Sequence, residues 1–323
     1  MTVAELEQGI PSPGTRGSGT ADSDPLRRPG DLARTFQLVV ATLWLLDGVL
    51  QIQPLMFTPG PRGLSGMLRR AAGGNPGWIA HTITWNASLV DHHPVLANTA
   101  FALIEFLIGF GIVWTRTRKA ALALSILWSL GVWWFGEGLG ALFSGNATPF
   151  GGGPGGALFY AVIAVLLWPS ARSDGPFVAA QTLGVRTAKI IWVVVWAILA
   201  VLSVVGASRS PQMLSDLVND LNTGEPGWLA HIDRFGSALF LNDGTALAIL
   251  LSAVCLVVAV GVFLTPHLTK ATIVLAVVVF GLIWVVAQDV GGVLAGGATD
   301  PNAAPLVILF ALIYWPVTST ATS

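Results

Sequence analysis

The sequence predicts an all-α integral membrane protein whose eight transmembrane helices form two parallel, tandem four-helix repeats. Three observations carry this prediction. Of the 323 residues, 54% are hydrophobic and only 10% are charged, whereas a typical soluble domain has about 25% charged residues. Long apolar stretches follow one another along the chain. A short phrase, PGWIAH at 76–81, returns as PGWLAH 150 positions later at 226–231.

Eight apolar stretches are candidates for spans, because a helix needs about 20 mostly apolar residues to cross a bilayer. They cover 36–57, 95–114, 120–142, 155–169, 188–207, 245–264, 271–293 and 303–317. The fourth and eighth are short and end in Trp-Pro. Tryptophan favours the membrane interface and proline ends helices, so both pairs indicate exits from the bilayer.

Basic residues orient the predicted spans. In an eight-span arrangement most of them fall on one side: Arg27, Arg28, Arg34, Arg116, Arg118, Lys119, Arg172, Arg186, Lys189 and Lys270. The positive-inside rule makes that side cytoplasmic, with both termini there. Four spans per unit is an even number, so both repeats enter the membrane in the same direction. Arginine outnumbers lysine and Ala, Gly and Val are abundant, which suggests a bacterial inner-membrane protein.

The predicted domain boundaries follow from composition. Residues 1–34 are polar and rich in Gly, Pro and Ser, so a disordered cytoplasmic tail is expected. The first repeat then covers 35–170, a cytoplasmic linker 171–187, the second repeat 188–317 and a short cytoplasmic tail 318–323. A net charge of −1 without a dense basic run excludes a nucleic-acid track. The expected partners are the lipid bilayer and either a membrane protein or a small apolar ligand.

Short amphipathic segments precede both copies of the repeated phrase. They lie at 64–72 and 210–217, and the second begins with Ser-Pro, a good helix start. We expect two helices on the outer membrane surface, each covering the mouth of one four-helix unit.

Acidic side chains inside the apolar stretches are the best candidates for a site. Asp47 and Glu105 lie near the middles of spans one and two, and Glu137 lies toward the outer end of span three. Gln51 shares a helix face with Asp47, four residues away. Intramembrane carboxyl groups are costly and seldom face lipid, so they indicate a ligand or proton site. The alternative is that they only form hydrogen bonds between helices.

The second repeat does not keep this set of acids. At the 150-residue offset, Ala197 and Cys255 stand in place of Asp47 and Glu105. Gln288 aligns with Glu137, and only the adjacent Asp289 is acidic. We therefore expect the polar interior mainly in the first repeat, with Asp289 as a further ligand or proton candidate.

The duplicated phrase places one Trp and one His of each repeat on the outer side. Trp78, Trp228, His81 and His231 are the candidates for the rim of the site. A structural role as interfacial anchors is the alternative for the tryptophans. No metal site is predicted, because no metal-binding signature is present. The single alternative set is His81, His92 and His93 together with Glu137.

A faint resemblance to a known family lies in the first helix. Its LDGVLQ segment at 46–51, with the four-span units, resembles the DoxX-like membrane proteins. That resemblance implies a four-helix bundle, often encoded beside redox partners. The chain is also similar to uncharacterised eight-span bacterial membrane proteins whose repeats end in ATDPN, here 298–302. Neither resemblance assigns a role to a residue.

These observations identify no catalytic residue and no cofactor, and favour a non-catalytic membrane protein. We expect it to bind a small or apolar molecule, or a partner, in an outward-facing polar pocket of the first repeat. The pocket would be lined by Asp47, Gln51, Glu105 and Glu137, with His81 at its rim. A proton-coupled transporter and a quinone- or metal-linked oxidoreductase subunit are the alternatives.

Overall fold

The computed structural model describes residues 29–170, 175–219 and 225–317, which form helices and irregular segments with no strand. The helices are α1 (Pro29–Gln51), α2 (Leu64–Ala72), α3 (Gly77–His92), α4 (Pro94–Val113), α5 (Arg118–Phe135), α6 (Gly156–Leu166), α7 (Ala179–Leu183), α8 (Val185–Leu202), α9 (Pro211–Asn219), α10 (Gly227–Gly261), α11 (Pro266–Val286) and α12 (Ala303–Leu312). The all-helical prediction is confirmed for the described residues.

Five of these helices are long and apolar enough to cross a membrane: α1 from Asp31, α4, α8, α10 and α11. The helix predicted as span three, α5, is not among them. Its 18 residues include Arg118 and Lys119, and three tryptophans lower its hydropathy further. The helices predicted as spans four and eight, α6 and α12, have only 11 and 10 residues.

The two short helices lie at the centre of the protein. At 1.5 Å per residue they are each about 15 Å long, half the thickness of the hydrocarbon layer. Both are largely buried and pack against each other. α5 covers α6, and α11 covers α12. Irregular, glycine-rich chain precedes both helices, and such backbone is tolerated at membrane depth only where protein surrounds it.

The remaining long helices pack in the same order in both halves. α1 lies along α4 and α8 lies along α10, while α5 and α11 contact α4 and α10, respectively. The Arg34 guanidinium donates to the carbonyl oxygens of Ile112, at 2.9 Å, and Val113. It thereby satisfies free carbonyl groups at the end of α4.

The halves differ in where their helices break. His93 separates α3 from α4, because Pro94 lacks a backbone donor and starts a new helix. The corresponding stretch of the second half is the uninterrupted α10, with Gly244 at the position of Pro94. Its 35 residues measure about 52 Å, so one end extends beyond a hydrocarbon layer of about 30 Å.

The predicted amphipathic helices are present as α2 and α9, which pack on α3 and α10. α2 buries Leu64 and Leu68 and exposes Arg69 and Arg70. The repeated Pro-Gly-Trp phrase begins a helix in both cases, with Pro76 and Pro226 as the N-caps.

Two domain boundaries differ from the prediction. α1 begins at Pro29, within the segment expected to be a disordered tail, and residues 1–28 lie outside the described part. The segment expected to be a polar linker, 171–187, contains α7 and the start of α8. Its Phe177, Val178 and Ala179 are buried, because they pack against the central core. Residues 171–174 and the predicted tail 318–323 are not described.

Candidate functional site

A cavity of about 390 Å³ lies among the helices of the first half, bordered by α1, α2, α4, α5 and α6. The carboxyl groups that line it are those of Asp47, Glu105, Glu137 and Asp300. The aromatic side chains that line it are Trp44, Phe101, Trp128, Phe135 and Tyr160. Leu64, Met67 and Leu68 of α2 close one side. Among the described residues that border this cavity, none is a lysine, arginine or histidine.

Asp47 is held by a single hydrogen bond. Its side chain is 2% exposed, and the Tyr160 hydroxyl of α6 donates to its Oδ2 at 2.6 Å. Oδ1 is buried and has no hydrogen-bond partner. Trp44, one turn earlier in α1, stacks on Tyr160 with ring centroids 4.3 Å apart. Its indole donates to Ser125 at 3.0 Å. The Asp47 carboxyl is therefore rigidly placed but retains one free oxygen.

Glu105 reaches the same cavity from α4. Its side chain is 7% exposed, and its buried Oε2 accepts no hydrogen bond. The buried indole nitrogen of the neighbouring Trp128 interacts with this carboxyl group without forming a well-aligned hydrogen bond. A buried polar atom without a partner costs about 1–3 kcal/mol. The free Oε2 of Glu105 is therefore available to a hydrogen-bond donor in the cavity.

Glu137 follows α5 and lies at the start of α6. Its Oε1 accepts the backbone N–H of Ala157 at 3.0 Å, which caps the first turn of α6. Its Oε2 is buried without a partner. Gly155, at φ +117°, lies beside this oxygen, and a Cβ there would be 2.2 Å from Oε2. Only glycine therefore allows the carboxyl group to approach the helix start.

Gln51 has a structural role that its position alone does not reveal. Its side-chain amide donates to Asn98 Oδ1 at 2.7 Å, and the Asn98 amide donates to the Gln51 carbonyl at 2.7 Å. This reciprocal pair joins α1 to α4 and is buried. Gln51 borders the cavity, but its amide donor is already engaged by Asn98.

Asp300 is the one acid of the cavity that comes from the second half of the chain. The backbone N–H of Asn302 donates to its Oδ1 at 2.7 Å, and Thr299 donates to Oδ2 at 2.9 Å. The first bond forms the Asx turn expected of an Asp-Pro-Asn segment.

Asp300, Tyr160 and Trp44 are among the residues of the cavity that were not predicted. For Asp300 no local signal shows that it reaches the cavity of the first half, because it lies more than 150 positions from the other three acids of the cavity in the sequence. For Tyr160 a signal was present. It is one of only two tyrosines in the chain, and its hydroxyl lies in an apolar stretch where it needs a partner.

The predicted rim residues lie away from the cavity. Neither His81 nor His231 borders it, and both are exposed. His231 contacts Arg234 on its own helix. Trp78 and Trp228 are 57% and 56% exposed, which fits side chains at a membrane interface better than ligand contacts.

The alternative metal set is not supported within the described part of the chain. His81, His92 and His93 are not brought together with Glu137. His92 instead contacts the Ser88 carbonyl through Nδ1 at 2.6 Å. His81 lies near the start of α3 (Gly77–His92), whereas His92 and His93 lie at its end. Their backbone positions are therefore about 16 Å or more from that of His81.

The remaining candidate, Asp289, is also outside the cavity. It is 1% exposed and lies beside Glu225 and the fully buried Asp233. The expectation that buried acids belong mainly to the first half is therefore wrong, because the second half has its own group of three.

Comparisons with known proteins give no match to a family model, a curated protein or a solved structure.

Proposed function

We propose that this chain is a multi-pass membrane protein that binds a small organic cation with an apolar part in the cavity between α1, α4, α5 and α6. One observation carries the proposal. Four carboxyl groups and five aromatic rings border one cavity to which no basic side chain contributes among the described residues. The cavity volume of about 390 Å³ lies within the 300–1,000 Å³ typical of small-molecule sites.

Electrostatics favours a positively charged ligand. Burying an ionised carboxyl group costs several kcal/mol unless an opposite charge compensates it. Asp47 and Glu105 have no ion-pair partner in the described structure, where the one salt bridge joins Arg69 to Asp91. A ligand ammonium group would supply that charge. Trp44, Trp128 and the other rings would contact the apolar part of the ligand. A ring that faces the ammonium group would add cation–π attraction of about 0.5–2 kcal/mol.

Binding of a matched set of probes tests the proposal. Benzyltrimethylammonium, benzyl alcohol and benzoate share a ring but differ in charge, and tryptophan fluorescence can report on the indoles that line the cavity. We expect the cation to bind at least about tenfold more tightly than the alcohol and benzoate not to bind. Equal affinity for the cation and the alcohol would contradict the proposal and favour a neutral, apolar ligand.

Variants locate the binding site. Asp47→Asn and Glu105→Gln keep the shape of the cavity, and each should weaken cation binding about tenfold or more. Asp216→Asn is the control, because Asp216 is exposed on α9 and hydrogen-bonded to Gln212. Wild-type affinity in both cavity variants would rule out this cavity as the site.

Proton-coupled transport is a second candidate, supported by the free oxygens Asp47 Oδ1 and Glu105 Oε2. Intramembrane acids without basic partners are typical of proton relays. In proteoliposomes, a proton gradient would then drive uptake of the cation by the wild type. Asp47→Asn and Glu105→Gln should abolish this uptake while ligand exchange across the membrane persists. Cation uptake that does not depend on the proton gradient would contradict proton coupling and leave binding or passive transport as the function.

We further propose that the chain crosses the membrane eight times as two parallel four-helix units, in a bacterial inner membrane with cytoplasmic termini. The two series would be α1, α4, α5, α6 and α8, α10, α11, α12, with irregular chain extending the short helices. Matching contacts support this: Trp133 donates to the Pro154 carbonyl and Trp284 to the Pro301 carbonyl, at 2.7 and 2.9 Å.

Cysteine labelling from either side of the membrane tests the orientation. In a Cys255→Ser background, Thr117→Cys lies in the basic turn between α4 and α5, and Arg62→Cys lies before α2. We expect an impermeant thiol reagent to label position 62 from outside and position 117 only after the membrane is opened. Labelling of both from the same side would contradict the arrangement.

A further inference from the structure

We propose that Glu225, Asp233 and Asp289 form a binding site for a divalent cation of the calcium type in the second half of the chain. The three residues come from different places. Glu225 directly precedes the N-cap of α10, Asp233 lies in its second turn, and Asp289 follows the end of α11. One carboxylate oxygen of each lies within 4.8 Å of the others.

The surroundings of these carboxyl groups indicate a missing ligand rather than a solvated acidic patch. Asp233 is fully buried and Asp289 is 1% exposed. Both oxygens of each, and both of Glu225, are buried and accept no hydrogen bond from a donor group of the described residues, and Asp233 and Asp289 contact the carboxyl group of Glu225 itself. No basic side chain of the described residues forms an ion pair with any of them. Such charges require a cation or protons.

The fold itself does not need acids at this place. The corresponding positions of the first half are Asn75, Ile83 and Gly138. Two of them are close together there as well, because a Cβ at Gly138 would lie 2.9 Å from the Asn75 amide nitrogen, and the third, Ile83, is fully buried. A neutral cluster thus fills this place in one half. In the second half, three carboxyl groups converge at the equivalent place. Burying them together lowers the stability of the fold, and a purely structural role does not explain why they are present.

Coordination chemistry selects the kind of ion. Oxygen ligands lie about 2.3–2.6 Å from Ca²⁺, so two oxygens on one ion are at most about 5 Å apart. The observed spacing is inside that limit. Three carboxylates offer up to six oxygens, and water can complete the six to eight that Ca²⁺ accepts. Mg²⁺ needs a smaller, near-octahedral shell and keeps its waters, while Zn²⁺ favours nitrogen and sulfur ligands.

A bound ion would join three separate elements. It would tie the segment before α10 to the first turns of α10 and to the end of α11. Both Asp289 and Val290 have left-handed backbone, at φ 47° and φ 51°, and β-branched residues seldom adopt this conformation. The first half has a similar left-handed turn after α5, at Gly138 to Ala141. A left-handed turn therefore occurs at this place in both halves, but only the turn of the second half contains an acidic residue.

Titration of the purified full-length protein with Ca²⁺ tests the proposal. After removal of divalent ions with EGTA, we expect calorimetry to show one Ca²⁺ per chain with a Kd of about 1 mM or tighter. The thermal midpoint should rise with Ca²⁺ and much less with Mg²⁺ at the same concentration. Absence of Ca²⁺ binding at several millimolar would overturn the proposal and indicate carboxyl groups that share protons instead.

Substitutions test whether Ca²⁺ binds to these three carboxyl groups and not to other acidic residues of the protein. Asp233→Asn and Asp289→Asn should each weaken Ca²⁺ binding at least about tenfold and remove the calcium-dependent rise in thermal midpoint. Asp243→Asn is the control, because Asp243 is exposed on the same helix, α10. If Asp233→Asn does not fold, Glu225→Gln at the edge of the site takes its place. Wild-type Ca²⁺ affinity in the Asp289 and Glu225 variants would overturn the assignment.

Discussion

Glu137 and Gln288 make the same hydrogen bond at the starts of two different helices. Glu137 Oε1 accepts from the Ala157 N–H of α6 at 3.0 Å, and Gln288 Oε1 accepts from the Ala304 N–H of α12 at 3.1 Å. The second oxygen of Glu137 is free, whereas the amide of Gln288 donates to the Pro149 carbonyl at 3.1 Å. The cap is thus common to both halves, and the carboxyl group in it belongs only to the half with the cavity.

This difference predicts that the substitutions Glu137→Gln and Gln288→Glu have unequal effects on stability. Glu137→Gln should fold nearly as well as the wild type, because an amide oxygen can still accept the Ala157 N–H. Gln288→Glu should destabilise the protein by about 1–3 kcal/mol, since a carboxylate would face the Pro149 carbonyl without a donor. Denaturation in mild detergent, followed by tryptophan fluorescence, measures both.

Glu137→Ala is the control for the cap itself and should cost about 0.5–2 kcal/mol. If Gln288→Glu were as stable as Glu137→Gln, the hydrogen bond to Pro149 would not matter.

Tyr160 and Asp47 form the pair that fixes the cavity wall between α6 and α1. Tyr160→Phe removes the one hydrogen bond that Asp47 accepts. We expect a loss of about 1–3 kcal/mol in the free energy of unfolding, because both carboxylate oxygens would then lack partners.

A double-mutant cycle with Asp47→Ala isolates this interaction. In the Asp47→Ala background, Tyr160→Phe should cost much less, because no carboxyl group remains to be left unpaired. The same cost in both backgrounds would show that the tyrosine acts through packing against Trp44 instead.

Much of the architecture could be predicted because it depends on local signals. The amphipathic segment at 64–72 matches α2 to the residue, since its polar and apolar positions alternate with helical spacing. Asp47, Glu105 and Glu137 stood out because acids are rare in apolar stretches, and all three line one cavity.

The remaining parts depend on contacts that are distant in the sequence. α6 and α12 end three and five residues before the ends of their predicted apolar stretches, because hydropathy does not reveal that each helix stops ahead of its Trp-Pro pair. Asp233 was missed for a different reason. It lies in a segment interpreted as an outer loop, and only the extension of α10 beyond the bilayer thickness brings it beside Asp289.

Trp78 and Trp228 occupy equivalent places in the repeated phrase but differ in their neighbours. Trp78 makes edge contacts with Trp134 and Phe143, with ring centroids 5.8 and 6.0 Å apart. Trp228 makes no ring contact with the described residues. Because such aromatic pairs contribute about 0.5–1.5 kcal/mol each, Trp78→Ala should destabilise the protein by about 1–3 kcal/mol and Trp228→Ala by less.

Thermal unfolding of both variants in the same detergent measures the difference. Trp→Phe at each position is the control, since phenylalanine keeps part of the ring contacts. An equal loss for the two alanine variants would indicate that membrane or detergent anchoring, rather than contact with α5, sets the contribution of both tryptophans.

Asp91 lies on α3 and links this helix to α2 and to the loop before α2. Its contribution to the free energy of unfolding should depend on pH. It accepts the Gly60 N–H and the Ser65 hydroxyl, both at 2.8 Å, and pairs with Arg69 at 2.9 Å. The hydrogen bond from Gly60, followed by those from Arg69 and Ser65, lowers the pKa of Asp91 to about 2. A lowered folded-state pKa means that the stabilisation is complete above the unfolded value of about 4. It is lost as the pH falls through about 4 toward 2.

Asp91→Asn should therefore unfold at a lower temperature than the wild type between pH 5 and pH 7. The difference should shrink below about pH 4 and vanish only below about pH 2, where the wild-type carboxyl group is also protonated. Asp216→Asn on α9 serves as the control and should show no such pH-dependent difference. A gap between wild type and Asp91→Asn that stays constant down to pH 2 would mean that Asp91 holds α2 by its shape and neutral hydrogen bonds. Its charge would then contribute nothing to the position of the helix that covers the cavity.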